Sequence, residues 1–295
     1  MKIDNGLIVK GIGGFYHVKT AADLYLCKPK GIFRQQKIKP LPGDRVEISI
    51  DDNKDGIITA IKERKNYLNR PALANIDKIF ITISMGKPKP VLLLADKMTI
   101  LANYIGATPI IVINKIDLSP NQAKEIEEIY TKSGIDAFCV CAKTGEGIEQ
   151  FDKRLDGICV LTGNTGVGKS SIINRLIPNL SIDTNEISKA LGRGVHTTRE
   201  TTLYDIKDGY IADTPGFSTL TLDKNSDIQS SELANYFSDF LPFLDDCKFS
   251  NCSHIQENDD CAIYKAFCNK QIQSSRYDSY KNIYTQLKSA NKFNK

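Results

Sequence analysis

The sequence predicts a multi-domain α/β protein: an N-terminal β-barrel over residues 1–66, a parallel-sheet α/β unit over 67–224, and a helical, metal-binding segment over 225–295. Three observations carry the prediction. The first 66 residues read as short alternating runs between turn signals, which is the pattern of a small barrel. The middle switches to continuous β-branched runs separated by helical patterns, as strands buried on both faces require. After Asp223 the chain becomes polar and helical around a compact Cys/His cluster. At about 100–200 residues per domain, a chain of this length holds two or three such units.

In the first unit, Gly11, Gly13 and Gly14 mark one turn, and Leu41-Pro42-Gly43-Asp44 marks another before the run Arg45–Ile50. This pattern fits an OB-like barrel and equally an SH3-like one. The stretch Lys28–Lys39 adds five bases and no acid to an expected loop. Phe15, Tyr16, Tyr25 and Phe33 are the candidates for stacking on bases. They are few, so backbone and shape contacts should outweigh sequence readout.

In the middle unit, 79–83, 110–113 and 158–161 read as buried strands, and 121–133 as an outer helix with Ile126, Ile129 and Tyr130 on one face. Three loops after such strands carry chemistry. Gly163-Asn164-Thr165-Gly166-Val167-Gly168-Lys169-Ser170 fits GxxxxGK[ST], follows a strand and opens a helix at Ser171. Its glycines let successive N–H groups face a phosphate, Lys169 neutralises the outer phosphates, and Ser170 ligates Mg²⁺. Asn114-Lys115-Ile116-Asp117 follows strand 110–113 directly. Asp117 there can accept both N–H groups on the Watson–Crick edge of guanine, whereas adenine would leave the carboxylate unpaired. Alone, the tetrapeptide also fits a turn capped by Asn114 and Asp117; beside a phosphate loop the base-reading role prevails. Cys141-Ala142-Lys143, after a strand near 135–140, is placed to support the base from behind.

Two further segments complete a nucleotide switch. Asp213-Thr214-Pro215-Gly216 fits DxxG, with Asp213 holding Mg²⁺ through water and the Gly216 N–H meeting a γ-phosphate. Gly192–Arg199 is a polar, glycine-containing segment suited to a switch loop, with Thr198 as first choice of Mg²⁺ ligand and Thr197 second. Along the chain the base-reading motif precedes the phosphate loop. The order of an ordinary GTPase is thus circularly permuted.

Cys247-x4-Cys252-x-His254-x6-Cys261 offers three thiols and one imidazole, a donor set for closed, tetrahedral Zn²⁺ with no open catalytic position. Cys27, Cys139 and Cys159 read as small apolar residues. The formal charge of +4 conceals an uneven distribution. Residues 1–70 carry fourteen bases against eight acids, 227–260 one base against eight acids, and 262–295 seven bases against one acid. Basic flanks of this kind suit polyanion binding, and they equally suit solvated faces. The apolar stretch 98–114 is broken by Asn103 and Pro109, too short for a membrane span. The first residues show no secretory h-region, so a cytoplasmic protein with reduced cysteines is expected.

Permuted motif order, N-terminal barrel, GxxGVGKSS, a GxxHTTR-type switch, DTPGF and the terminal Cys/His cluster together resemble the RsgA family of small-ribosomal-subunit biogenesis GTPases over essentially the whole chain. The resemblance implies weak intrinsic GTP hydrolysis with Mg²⁺, stimulated by the small ribosomal subunit and its rRNA, in a protein expected to be monomeric and to need no membrane. It makes His196 the water-orienting residue, since Phe217 stands where many GTPases place Gln. Thr165 and Cys141 replace the family's usual Ser, and the His254-to-Cys261 gap is one residue longer than usual. Two other readings stay open: an RNA-binding scaffold that uses GTP as an occupancy signal, and a permuted GTPase of the large subunit. The short path from DxxG to the Cys/His cluster further suggests that nucleotide state reaches the C-terminal helices.

Overall fold

The computed structural model describes residues 2–51, 55–69, 71–177, 201–213, 222 and 226–293. His196, Thr197, Thr198, Gly216 and Phe217 lie outside the described residues, and Asp213 is described as backbone only.

The barrel comprises β1 (Lys2–Ile12), β2 (Phe15–Thr20), β3 (Leu24–Pro29), a short helix α1 (Gly31–Gln35), β4 (Arg45–Ile50) and β5 (Gly56–Ile61). The 11 residues of β1 let it pair twice: its first half runs against β4 and its second against β2, with a bulge between Ile8 and Lys10. β5 then bridges β4 and a parallel β3, closing the barrel in the order 1-2-3-5-4-1. That closure, with a helix between β3 and β4, settles the open alternative as the OB arrangement. Period-two alternation puts Ile8, Val18, Cys27, Val46, Ile48 and Ile58 inside, all at 0% exposure. Two expectations fail here. Tyr16 and Phe33 belong to this core rather than to a stacking surface: alternation along β2 turns Tyr16 inward, and Phe33 is the buried residue of α1. Tyr25 packs partly against the same core, so Phe15, with the Lys28 ammonium 5.0 Å from its ring centre, is the exposed ring of the four. The basic stretch 28–39, expected as loop, carries α1.

A two-stranded hairpin, β6 (Tyr67–Asn69) with β7 (Ala72–Ala74), leads into the central sheet. There follow β8 (Lys78–Ser84), α2 (Leu92–Tyr104), β9 (Thr108–Asn114), α3 (Pro120–Lys132), β10 (Asp136–Cys139), α4 (Glu149–Asp152), β11 (Asp156–Gly163), α5 (Lys169–Leu176), β12 (Thr202–Ile206) and β13 (Asp208–Asp213). The apolar stretch 98–114 is divided between α2 and β9. Strands β10, β9, β8, β11 and β13 lie side by side in parallel, β12 adds antiparallel, and Thr202 of β12 pairs with Lys10 of β1. One sheet therefore runs from the nucleotide unit into the barrel.

Each face of the parallel sheet has its own core. Phe80, Phe138, Phe151 and Ile172 fill one side under α4 and α5. On the other side, the core under α2 and α3 continues without a break into Phe237, Phe240, Tyr277 and Tyr280, among two 3₁₀ helices (Leu233–Tyr236 and Leu241–Asp246) and the helices α6 (Ala262–Cys268) and α7 (Ser274–Phe293). At the centre of that junction Arg276, 1% exposed, reaches Asp96 of α2 at 2.6 Å and Asp239 at 2.9 Å, with Phe237 stacked 4.7 Å from the guanidinium. Burial raises the Asp96 carboxyl, opposed by Arg276; burial also pulls the guanidinium down, but Asp96 and Asp239 outweigh it and hold it charged.

Candidate functional site

Parallel strands leave a crevice beyond their carboxyl ends, and β9, β10 and β11 each end in one of the motif loops. Asn114, the last residue of β9 and 1% exposed, joins all three. Its Nδ2 donates to the Val167 carbonyl at 2.8 Å, and its Oδ1 accepts from Lys115 N at 2.8 Å and Ala142 N at 3.1 Å. The base-reading, phosphate and base-supporting loops are thus pinned by one carboxamide. Gly168 makes this possible. It sits at φ +99°, and a Cβ there would lie 2.2 Å from Asn114 Nδ2. At Gly163, φ +140°, a Cβ would lie 2.4 Å from the Thr82 carbonyl, so the strand can turn into the loop only without a side chain.

Lys115 occupies the left-handed region at φ 62° and donates from Nζ to Gly166 O at 2.6 Å and Lys87 O at 2.8 Å, lying along the phosphate loop. Asp117 is exposed in the cleft, with its Oδ1 3.3 Å from the buried Cys141 thiol, which donates to it. Cys141 thereby orients the carboxylate and leaves its other oxygen for a ligand. Lys169 Nζ donates to the carbonyls of Gly163 at 2.7 Å and Asn164 at 2.9 Å, across the mouth of the phosphate loop. The cleft has a volume of about 810 Å³ and is lined on one side by Asn114, Lys115 and Asp117, on the other by Cys141, Ala142, Lys143, Gly168 and Ser171. Thr165, Gly166, Val167 and Ser170 complete the loop and the start of α5.

Motif spacing missed Arg175. From the second turn of α5, its Nε donates to Ala142 O at 3.1 Å and its Nη2 to Lys143 O at 2.8 Å, fixing the 141–143 loop against the phosphate-loop helix. A basic residue six positions beyond the loop Lys was its one visible trace.

The second cluster lies in the C-terminal segment. One ligand atom each from Cys247, Cys252, His254 and Cys261 falls within 4.8 Å of the others. His254 Nδ1 lies 3.5 Å from Cys247 Sγ and 3.7 Å from Cys261 Sγ. Zinc bonds of about 2.3 Å to sulfur and about 2.0–2.1 Å to nitrogen give a tetrahedral N···S edge of about 3.6 Å, so the cluster fits the ion. Burial lowers the His254 pKa, favouring the neutral imidazole that ligates, and pushes the Cys261 thiol up to about 12, so a metal must displace that proton. The surrounding shell is in place: Ala262 N donates to Cys247 Sγ at 3.3 Å, Tyr264 N to Cys261 Sγ at 3.4 Å, and Tyr277 Oη to the His254 carbonyl at 3.0 Å.

A glycine-rich phosphate-type loop and the Asn114–Asp117 loop meeting in one crevice, with the second earlier in the chain, mark a circularly permuted P-loop GTPase. The RsgA GTPase family model matches residues 61–223 and that of the RsgA N-terminal domain residues 5–58. The chain belongs to the RsgA family of GTP-hydrolysing enzymes. A Ruminiclostridium cellulolyticum protein named small ribosomal subunit biogenesis GTPase RsgA is 40% identical over 289 residues, spanning 96% of this chain and 93% of its own. One of the same name from Alkaliphilus metalliredigens is 39% identical, spanning 97% and 98%. Among solved structures, YjeQ from Thermotoga maritima superposes with a TM-score of 0.84 at 33% identity over 97% of this chain and 99% of its own. YloQ, described as a circularly permuted GTPase, gives 0.81 at 29% identity over 98% and 96%.

Proposed function

We propose that this chain binds the small ribosomal subunit, assists its late maturation, and hydrolyses GTP to GDP and phosphate as it does so. The observation that carries the nucleotide assignment is the Asn114 carboxamide joining the three motif loops. The ribosomal assignment rests on the relatives, whose names say that they act in small-subunit biogenesis.

In this reading Asp117, oriented by Cys141, accepts from guanine, while Ala142 and Lys143 close on the base from the other side. The N–H groups of 164–170 and the Lys169 ammonium hold the β- and γ-phosphates. Ser170, Thr198 and Asp213 would hold Mg²⁺, which when bound would supply charge neutralisation to the phosphates. His196 orients the attacking water, an assignment that rests on family resemblance, and Gly216 senses the γ-phosphate; Gly216 rests on the DxxG motif and Thr198 on the polar switch segment. Cys247, Cys252, His254 and Cys261 hold one structural Zn²⁺. The barrel of residues 1–66 and the basic end of the 225–295 segment contribute affinity for rRNA, on either side of the 67–224 nucleotide unit. The protein acts as a cytoplasmic monomer.

Co-sedimentation with separated ribosomal subunits tests the reading. The chain should pellet with small subunits in a non-hydrolysable GTP analogue, weakly in GDP, and not with large subunits. Asp117→Asn should transfer that requirement to the xanthosine analogue. Pelleting that ignores the nucleotide, or that favours the large subunit, would overturn the proposal.

A further inference from the structure

Where the sheet passes from the nucleotide unit into the barrel, it leaves a second cleft of about 450 Å³, separate from the motif loops. Its walls include Asn5, Lys19, Arg45 and Lys62 from the barrel side and Tyr210 from β13. The charges there are unbalanced. Lys19 is held by Asp205 and lies 5.7 Å from the centre of the Tyr210 ring. Arg45 and Lys62 are exposed, and among the described residues neither has a carboxylate partner. Glu47, across from Asn5 on the neighbouring strand, does not line the cleft. Two unopposed cations, a carboxamide and a half-buried aromatic ring around a concave space combine the two elements used to hold single strands: a positive track for phosphates and a flat surface for a base.

We propose that this seam cleft is a second ligand site that takes single-stranded RNA, with phosphodiesters on Arg45 and Lys62 and a base or ribose against Tyr210. The volume lies within the roughly 300–1,000 Å³ of ordinary ligand pockets and admits a nucleotide but not a duplex. Tyr210 gives the site its consequence. It stands on β13 three residues before Asp213, and its strand pairs with β12, which leads out of the switch segment. RNA seated in the seam therefore bears on the strand that delivers the DxxG motif. The proposal deepens the ribosomal reading, and rests on it for the source of the RNA.

The test is fluorescence anisotropy of a labelled oligouridylate with the full chain saturated in GDP, so that the nucleotide cleft is filled. At low salt, Arg45→Ala with Lys62→Ala should weaken binding about tenfold. The log–log salt dependence should become shallower by about 1.4, two single-strand phosphates at roughly 0.7 each. Tyr210→Ala should weaken binding severalfold with the salt dependence unchanged, and Arg45→Lys with Lys62→Arg should restore the wild-type slope. Unchanged affinity and slope in the double alanine variant would overturn the site. So would a polyglutamate peptide of equal charge that binds the seam as well as the oligonucleotide. If instead the wild-type chain fails to pellet with small subunits, the ribosomal reading fails while the oligonucleotide result stands.

Discussion

Asn114 and Arg276 are both nearly inaccessible polar side chains, and they differ in how far apart in sequence their partners lie. Asn114 bonds its immediate neighbour and two loops that are themselves motifs, so the sequence marked the loops it joins but not the bonds its carboxamide makes. Arg276 meets Asp239 at a separation of 37 residues and Asp96 at 180, and nothing local marks any of the three. Position in the fold alone makes them a unit. Removing one partner of such a buried set leaves a charge without compensation, at a cost of about 3–5 kcal/mol. Arg276→Ala should therefore lower the urea midpoint and strip hydrogen-exchange protection from α7. Unchanged protection there would show that the ion cluster is not what fastens α7 to α2. Replacing Arg276, Asp96 and Asp239 together by apolar residues of matching volume should recover most of the loss.

Among the elements, those with a single strong period were legible. The buried runs at 79–83, 110–113 and 158–161 became β8, β9 and β11, and the helix expected over 121–133 spans Pro120–Lys132. The barrel was legible only as a barrel. Its OB closure depends on β1 pairing with two strands and β5 running parallel to β3, and register between distant strands leaves no trace in either strand alone. A related limit explains Tyr16 and Phe33: composition counts aromatic rings, and only the pleat of β2 and the packing of α1 decide which face they take. In the proposed reading, zinc held by Cys247, Cys252, His254 and Cys261 ties the 247–268 element together. Metal analysis should find about one zinc per chain, and a strong chelator should abolish hydrogen-exchange protection across 247–268 while leaving GDP affinity within about twofold, since the cleft residues lie between 114 and 175. A metal-free chain with full protection in that element would contradict a structural zinc site.

For the whole molecule, the permutation has a mechanical meaning. Cutting the nucleotide unit between other strands puts β12 and β13 late in the chain, so one flank of the sheet joins the barrel through β1 and the Cys/His cluster follows β13 in sequence. Both flanking parts are thereby tied to the strands that bracket the switch motifs. One shared core, continuous from α2 to α7, makes the C-terminal segment a partner of the nucleotide unit rather than an appendage. A partner gripping barrel and tail together would act on both ends of the switch. The central claim, a GTPase whose turnover answers to the small subunit, is tested most directly by single-turnover GTP hydrolysis with enzyme in excess, alone and with separated subunits. Small subunits should raise the rate at least about tenfold, a barrier change of about 1.4 kcal/mol, and large subunits should leave it near the basal value. Equal rates with and without small subunits, or the same increase from large ones, would contradict it.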